Sequence, residues 1–247
     1  MICDSHCHLK HGNKERTEYA PHTLVEIMDE AGIDKSVVFA MCVSSAEATR
    51  FAQRAVEAFP DRLIPYAYAI PHIAESALDQ IEHAVRDLGF RGVKLHAGET
   101  KLVDYVIDPL FDLLAQYGAP VLIDIAGNEA SARRIATTFP GTTVIMAHFG
   151  RYLCTDRALL DRFIKLAEDC NNVILDTSGV ILPWMITDAV NRIGSDRIAF
   201  GIDGPHPYPS PVAYAKDEIQ KIRMLPISDA DKDNILWHTI ARILKLT

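Results

Sequence analysis

The sequence predicts a single α/β domain over residues 1–247, a (β/α)8 TIM barrel with an extra C-terminal helix. Three observations carry this. Short β-rich runs alternate with helical patterns along the whole chain. Most of the runs are continuously apolar, as parallel strands covered on both faces must be. Eight such units in 247 residues match the size of that fold. An open doubly wound sheet would carry a glycine-rich turn after its first strand, where this chain has HCHLKHG.

Each element has its own signal. Met1–His6 reads as the first strand and Ser36–Met41, containing SVVFA, as the second. Ser44 and Glu47 form a capping-box pattern, and Ala48, Phe51, Ala55 and Ala58 then recur at helical spacing before the third strand, Leu63–Ala69. From Ala77, Leu78, Ile81, Val85 and Leu88 repeat the helical pattern and lead into Gly92–His96. Pro120–Ile125, Thr142–Ala147, Val173–Thr177 and Ile198–Ile202 complete the strands. Gly32, Gly89, Gly118, Gly141 and Gly194 stand between a helix and the next strand, where a left-handed cap is expected. The segment Asp229–Leu244 reads as a last helix with no strand after it.

Composition narrows the function. The chain is 49% hydrophobic, which excludes a disordered chain, and its net charge of −8 without any basic run argues against nucleic acid. The longest apolar run, Val37–Val43, is far too short for a membrane span, and the N-terminus lacks the pattern of a signal peptide. Five scattered cysteines suit reduced thiols in a cytoplasm rather than a disulfide framework.

Polar residues gather where the apolar runs stop, and in this fold the C-terminal strand ends form the active-site face. The first run ends in Asp4, His6 and His8, the fourth in Lys94 and His96, and the fifth in Asp124. The sixth ends in His148, the seventh in Asp176 and Ser178, and the eighth in Asp203. A His-x-His pair alone is weak, since roughly 0.4 such pairs arise by chance at this histidine content. On a strand, however, alternate residues share a side, so His6 and His8 project together, and two neutral imidazoles can chelate one divalent ion. Asp203, buried after an apolar strand, must be paired or bound to a cation, unless it caps the Gly-Pro turn that follows. His148 alone is equally a satisfied core histidine; beside the other three, a catalytic reading leads. Arg151, just past the sixth run, is a candidate grip for a substrate carboxylate or a plain surface arginine. Trp184 is a candidate wall of the same pocket or an ordinary packing residue.

The pieces DSHCH, GFRGVKLHAG, VIMAHFG, LDTSG and RIAFGIDGPHP, in this order over almost the whole chain, resemble the amidohydrolase superfamily. Within it the resemblance is to the branch of aminocarboxymuconate-semialdehyde decarboxylase and related barrel hydrolases. It implies His6 and His8 as metal ligands, Asp203 as a ligand from the last strand that also carries a proton, and His148 as the base or water-orienting residue. The chain departs from the family at the fifth strand, where a metal-binding histidine is replaced by Asp124. Asp124 is expected to serve as the third protein ligand, with His96 as the alternative and otherwise a substrate contact. Zn2+ is the expected ion and Mn2+ the alternative; two imidazoles and two carboxylates around it would make Mn2+ a better competitor than at a three-imidazole site. Lys94 is expected to pair with a mouth carboxylate or the substrate.

The expected function is a metal-dependent hydrolase acting on a small, carboxylated substrate through a metal-activated water. A metal-dependent nonoxidative decarboxylase using the same ligands is the alternative, and a metal-free or non-catalytic barrel the third reading. The expected partner is a small molecule, neither nucleic acid nor membrane, and a homo-oligomer is compatible with the chain.

Overall fold

Eight parallel strands, hydrogen-bonded in chain order, alternate with helices in the computed structural model, which describes residues 1–73 and 77–246. The strands are β1 (Cys3–Lys10), β2 (Lys35–Ala40), β3 (Leu63–Tyr68), β4 (Gly92–His96), β5 (Val121–Asp124), β6 (Val144–Met146), β7 (Val173–Asp176) and β8 (Ile198–Ala199). Between and after them lie α1 (Pro21–Ala31), α2 (Ser45–Ala58), α3 (Leu78–Arg86), α4 (Asp104–Tyr117), α5 (Glu129–Thr138), α6 (Arg157–Asp169), α7 (Pro183–Ile193) and α8 (Pro211–Arg223). The last strand returns to the first: Ser5 N–H donates to the Phe200 carbonyl at 2.9 Å, Asp203 N–H to His6 at 2.8 Å and His8 N–H to Gly204 at 2.7 Å. This is the (β/α)8 barrel that the sequence predicts.

Most strands are a little shorter than the sequence reading, and two end three or more residues from where it ends them, each for a visible reason. β1 runs on to Lys10 because it stays paired with β2, His8 opposite Phe39 and Lys10 opposite Ala40. β8 stops at Ala199 because the donors that follow go elsewhere. Phe200 N–H bonds to the Ile235 carbonyl at 2.9 Å, Gly201 N–H to Thr177 Oγ1 at 3.3 Å and Ile202 N–H to Asp4 Oδ1 at 2.9 Å. The acceptor Ile235 lies in the extra C-terminal helix, which runs as α9 (Asp229–Asp233), a π-helical turn (Asn234–His238) and α10 (Thr239–Leu244). The terminal helix is thereby fastened to the segment that leads from β8 to Asp203.

Local chemistry explains the helix ends. Ser44 Oγ accepts the Glu47 N–H at 3.3 Å, the N-terminal half of the capping box. Gly32 and Gly118 take the left-handed cap after α1 and α4, whereas Gly141 does not; there Thr142 N–H closes the turn on the Phe139 carbonyl at 3.0 Å.

The strand exits toward the mouth share an unusual backbone. Cys42 after β2, Ala126 after β5, His148 after β6 and Asp203 after β8 all have positive φ, between 50° and 62°. Non-glycine residues adopt this conformation only where the surrounding packing over-determines it, and such positions cluster at functional sites. The turn after β6 also needs Gly150: its φ is +93°, and a Cβ there would lie 2.4 Å from the Phe163 ring. Gly150→Ala is expected to destabilise the protein by about 1–3 kcal/mol through overpacking, read as a lower urea midpoint with an unchanged denaturant slope.

Candidate metal centre at the barrel mouth

β1 and the exit of β8 build the centre together. His6 and His8 alternate on β1, both almost fully buried, and the left-handed turn at Asp203 brings its carboxylate over them. Asp203 Oδ1 lies 3.0 Å from His6 Nε2 and 2.8 Å from His8 Nε2. The three side chains offer ligand atoms within 4.8 Å of one another, compact enough for a single ion. His6 Nε2 also meets the Lys94 amine at 3.1 Å. One ring nitrogen thus faces both an amine donor and a carboxylate, and a divalent cation between His6, His8 and Asp203 would satisfy the carboxylate and the lone pair together. Two imidazoles and a carboxylate suit Zn2+ or Mn2+.

Electrostatics prepare the set. Burial alone would raise the Asp203 pKa, but the His6 and His148 imidazoles hold the carboxyl well below the usual range. Burial, reinforced by neighbouring His11, holds His8 well below the ordinary imidazole value and keeps it neutral. For His6, burial and the Lys94 ammonium oppose protonation, yet Asp203 and Asp176 outweigh them and its pKa stands above 6.5. A ligand must give up that proton. Ion uptake is therefore expected to weaken by about tenfold per pH unit once pH falls below the His6 titration, whose midpoint lies above 6.5. Calorimetric titration of the metal-stripped protein with Zn2+ between pH 5 and 8 checks this; the release of about one proton at the acid end is part of the expected result.

The other sequence candidates fall into three groups. His148 is brought to the site: it is buried, its ring centroid is 5.0 Å from that of His6, and its Nε2 lies 3.6 Å from Asp124 Oδ2. Lys94 and His96 are also brought there. Lys94 is 1% exposed, and burial lowers its pKa against the pull of Asp124, Asp203 and Asp176. His96 Nε2 lies 3.3 Å from Asp124 Oδ2, and its Nδ1 accepts the Gly98 N–H at 2.9 Å.

Asp124 lines the same cavity but is not one of the three residues whose ligand atoms cluster. It stands outside the His6–His8–Asp203 set, with Oδ1 accepting the Ala126 N–H at 2.8 Å and Oδ2 turned to His96 and His148. Against the cost of burial, those two imidazoles hold it ionised, with its pKa below the usual range. Asp124 is thus a partner of the histidines. Arg151 and Trp184 stand away from the mouth cavity. Arg151 is exposed and packs over Gly127, because the left-handed residues His148 and Phe149 turn the chain outward before it. Trp184 sits near the start of α7, 57% exposed, in an outer groove between α7 and α8 with Ile181 and Met224.

Sequence reasoning passed over two histidines. His11 stacks on His8 with ring centroids 4.2 Å apart, and His206 lies 5.3 Å from His11. Both line the mouth cavity of about 250 Å³, and His8 Nδ1, His11 Nε2 and His206 Nε2 are buried without a hydrogen-bond partner. Burial lowers the His11 pKa to about 4. His11 extends the alternation of His6 and His8 by an odd step, so strand parity hid it; His206 in GPHP is three residues past Asp203, a local signal that could have found it.

A profile of the amidohydrolase family matches residues 3–246, and the chain belongs to that family. The chain has no match among curated proteins. Among solved structures it is similar to an uncharacterised TIM-barrel protein from Bordetella bronchiseptica, with TM-score 0.80 and 20% identity over 99% of this chain and 98% of that one. It is also similar to 4-oxalomesaconate hydratase from Rhodopseudomonas palustris, with TM-score 0.73 and 17% identity over 99% and 96%. A third is 5-carboxyvanillate decarboxylase from Novosphingobium aromaticivorans, complexed with manganese and 4-hydroxy-3-methoxy-5-nitrobenzoic acid, with TM-score 0.71 and 20% identity over 90% and 79%. At these identities the likeness establishes the fold. No helix among the described residues is long and apolar enough to cross a membrane.

Proposed function

We propose that this chain is a metal-dependent hydrolase of a small carboxylated substrate, working at His6, His8 and Asp203. The observation that carries this reading is the convergence, on one cavity of about 250 Å³, of a chelating set and a separate imidazole, His148, backed by a carboxylate. A divalent ion held in that set supplies Lewis acidity toward a substrate oxygen. The remaining work falls to side chains of the chain itself. His148 takes a proton at Nε2, and Asp124 at 3.6 Å stabilises the imidazolium that results. Asp203 Oδ2, 3.7 Å from His206 Nε2, takes the second proton of the attacking water and passes it to the leaving group, while the proton on His148 goes to solvent. Lys94, which lines the cavity and is buried among carboxylates, is the ammonium available to a substrate carboxylate, whereas Arg151 lies outside the cavity lining.

The similarity to a 5-carboxyvanillate decarboxylase favours a second reading, nonoxidative decarboxylation at the same residues. There His148 would return a proton to the carbon that loses carbon dioxide. Metal-loaded protein offered lactones, carboxylated amides and unsaturated or aromatic acids separates the two. Hydrolysis gives a carboxylate product without gas; carbon dioxide release from an acid would replace the first reading by the second.

A further inference from the structure

β7 carries a carboxylate and a hydroxyl that face the rear of two site histidines. Asp176 and Ser178 are fully buried. Ser178 Oγ lies 3.3 Å from His6 Nδ1 and 2.9 Å from His148 Nδ1, and it is in very short contact with Asp176 Oδ1. His148 Nδ1 is also 3.0 Å from the Ser178 carbonyl. The carboxylate is surrounded by donors: the backbone N–H groups of His148 at 3.2 Å and Ser178 at 3.1 Å, and the Ser5 hydroxyl at 3.0 Å. Gly201 makes room for it, since a Cβ there would fall 1.9 Å from Asp176 Oδ2.

On the Nδ1 side the hydrogen inventory favours one arrangement, while His6 Nε2 meets both the Lys94 amine at 3.1 Å and the Asp203 carboxylate at 3.0 Å. An ionised carboxylate only accepts, so the single hydroxyl proton of Ser178 points at Asp176. The serine oxygen is left with lone pairs alone toward the two rings, and the Ser178 carbonyl is likewise an acceptor. Each ring therefore carries a proton on Nδ1, and in neutral His6 the Lys94 amine is the donor that Nε2 accepts from. We propose that Ser178, with its hydroxyl aimed by Asp176, is a positioning residue that fixes His6 and His148 together as Nδ1–H tautomers. Both Nε2 lone pairs then face the cavity, one as a metal ligand and one as a base. The atoms of His6, His148 and Asp176 also lie within 4.8 Å of one another, but the serine hydroxyl bridges them and the donors are already engaged. The functional half of this inference rests on the proposed metal-centre reading; the tautomers do not.

The test is nitrogen-15 NMR of histidine-labelled protein, metal-free and above the titration of both rings, with signals assigned from His6→Asn and His148→Asn. Wild type is expected to show both rings protonated at Nδ1 only. Ser178→Ala is expected to leave His148 unchanged, held by the backbone carbonyl, while at His6 only the Asp176 carboxylate, 3.6 Å from Nδ1, remains and the single-tautomer signature weakens. Zn2+ affinity is expected to fall about 10–100-fold in that variant and to return in Ser178→Thr. An Nε2–H tautomer at either ring of neutral wild type overturns the inference, and that spectrum decides it even if Ser178→Ala does not fold. So does a Ser178→Ala protein that matches wild type in both tautomer and affinity. Nδ1–H rings in a protein that takes up no metal would instead refute the metal-centre reading and leave the tautomer assignment standing.

Discussion

His148→Ala is expected to lower turnover of the metal-loaded enzyme by roughly 10²–10⁴-fold while the metal stays bound. The residue stands behind the chelating set, its Nε2 directed to Asp124 at 3.6 Å and its Nδ1 to Ser178, so it works on protons and not on the ion. Its removal also takes away the imidazole that helps hold Asp203 ionised, so a modest loss of affinity accompanies the loss of rate. Steady-state kinetics paired with metal analysis of the same sample reads both. Loss of stoichiometric metal with His148 would make it a ligand and require different roles for the groups around it.

The second large effect is at β1. His6→Ala with His8→Ala removes two of three ligand atoms and is expected to abolish stoichiometric metal and activity together. The barrel should remain folded, because the ligands occupy the mouth while stability resides in the buried layers below, such as Val93, Val121, Val144 and Ile174. Far-UV circular dichroism and a thermal melt establish folding, and elemental analysis establishes the metal. Retained metal in a folded double variant would remove His6 and His8 from the site.

The barrel was legible in the sequence because its signals are local: apolar runs such as SVVFA and VIM, the Ser44 cap, the Gly32 and Gly118 turns. That His6, His8, Asp203 and His148 meet at one mouth was legible for the same reason, as polar residues ending apolar strands. What was not legible depends on how distant segments meet. Asp124 has the strand position of a ligand, yet its carboxylate is taken by Ala126 N–H, His96 and His148. Arg151 lies close to the site in sequence, but the left-handed backbone at His148 and Phe149 carries it over Gly127. Ser178 shows in the sequence only as a polar residue at the end of the seventh run, inside LDTSG; the positioning role proposed for it depends on β7 meeting the rings from β1 and β6.

The most direct measurement is a crystal structure of the metal-loaded protein with anomalous diffraction recorded at the metal absorption edge. The expected result is one anomalous peak per chain, in contact with His6 Nε2, His8 Nε2 and the Asp203 carboxylate, with Asp124 still turned to His96 and His148. A peak ligated by Asp124, one placed among His6, His148 and Asp176, or none at all in crystals grown with saturating Zn2+ would contradict the account.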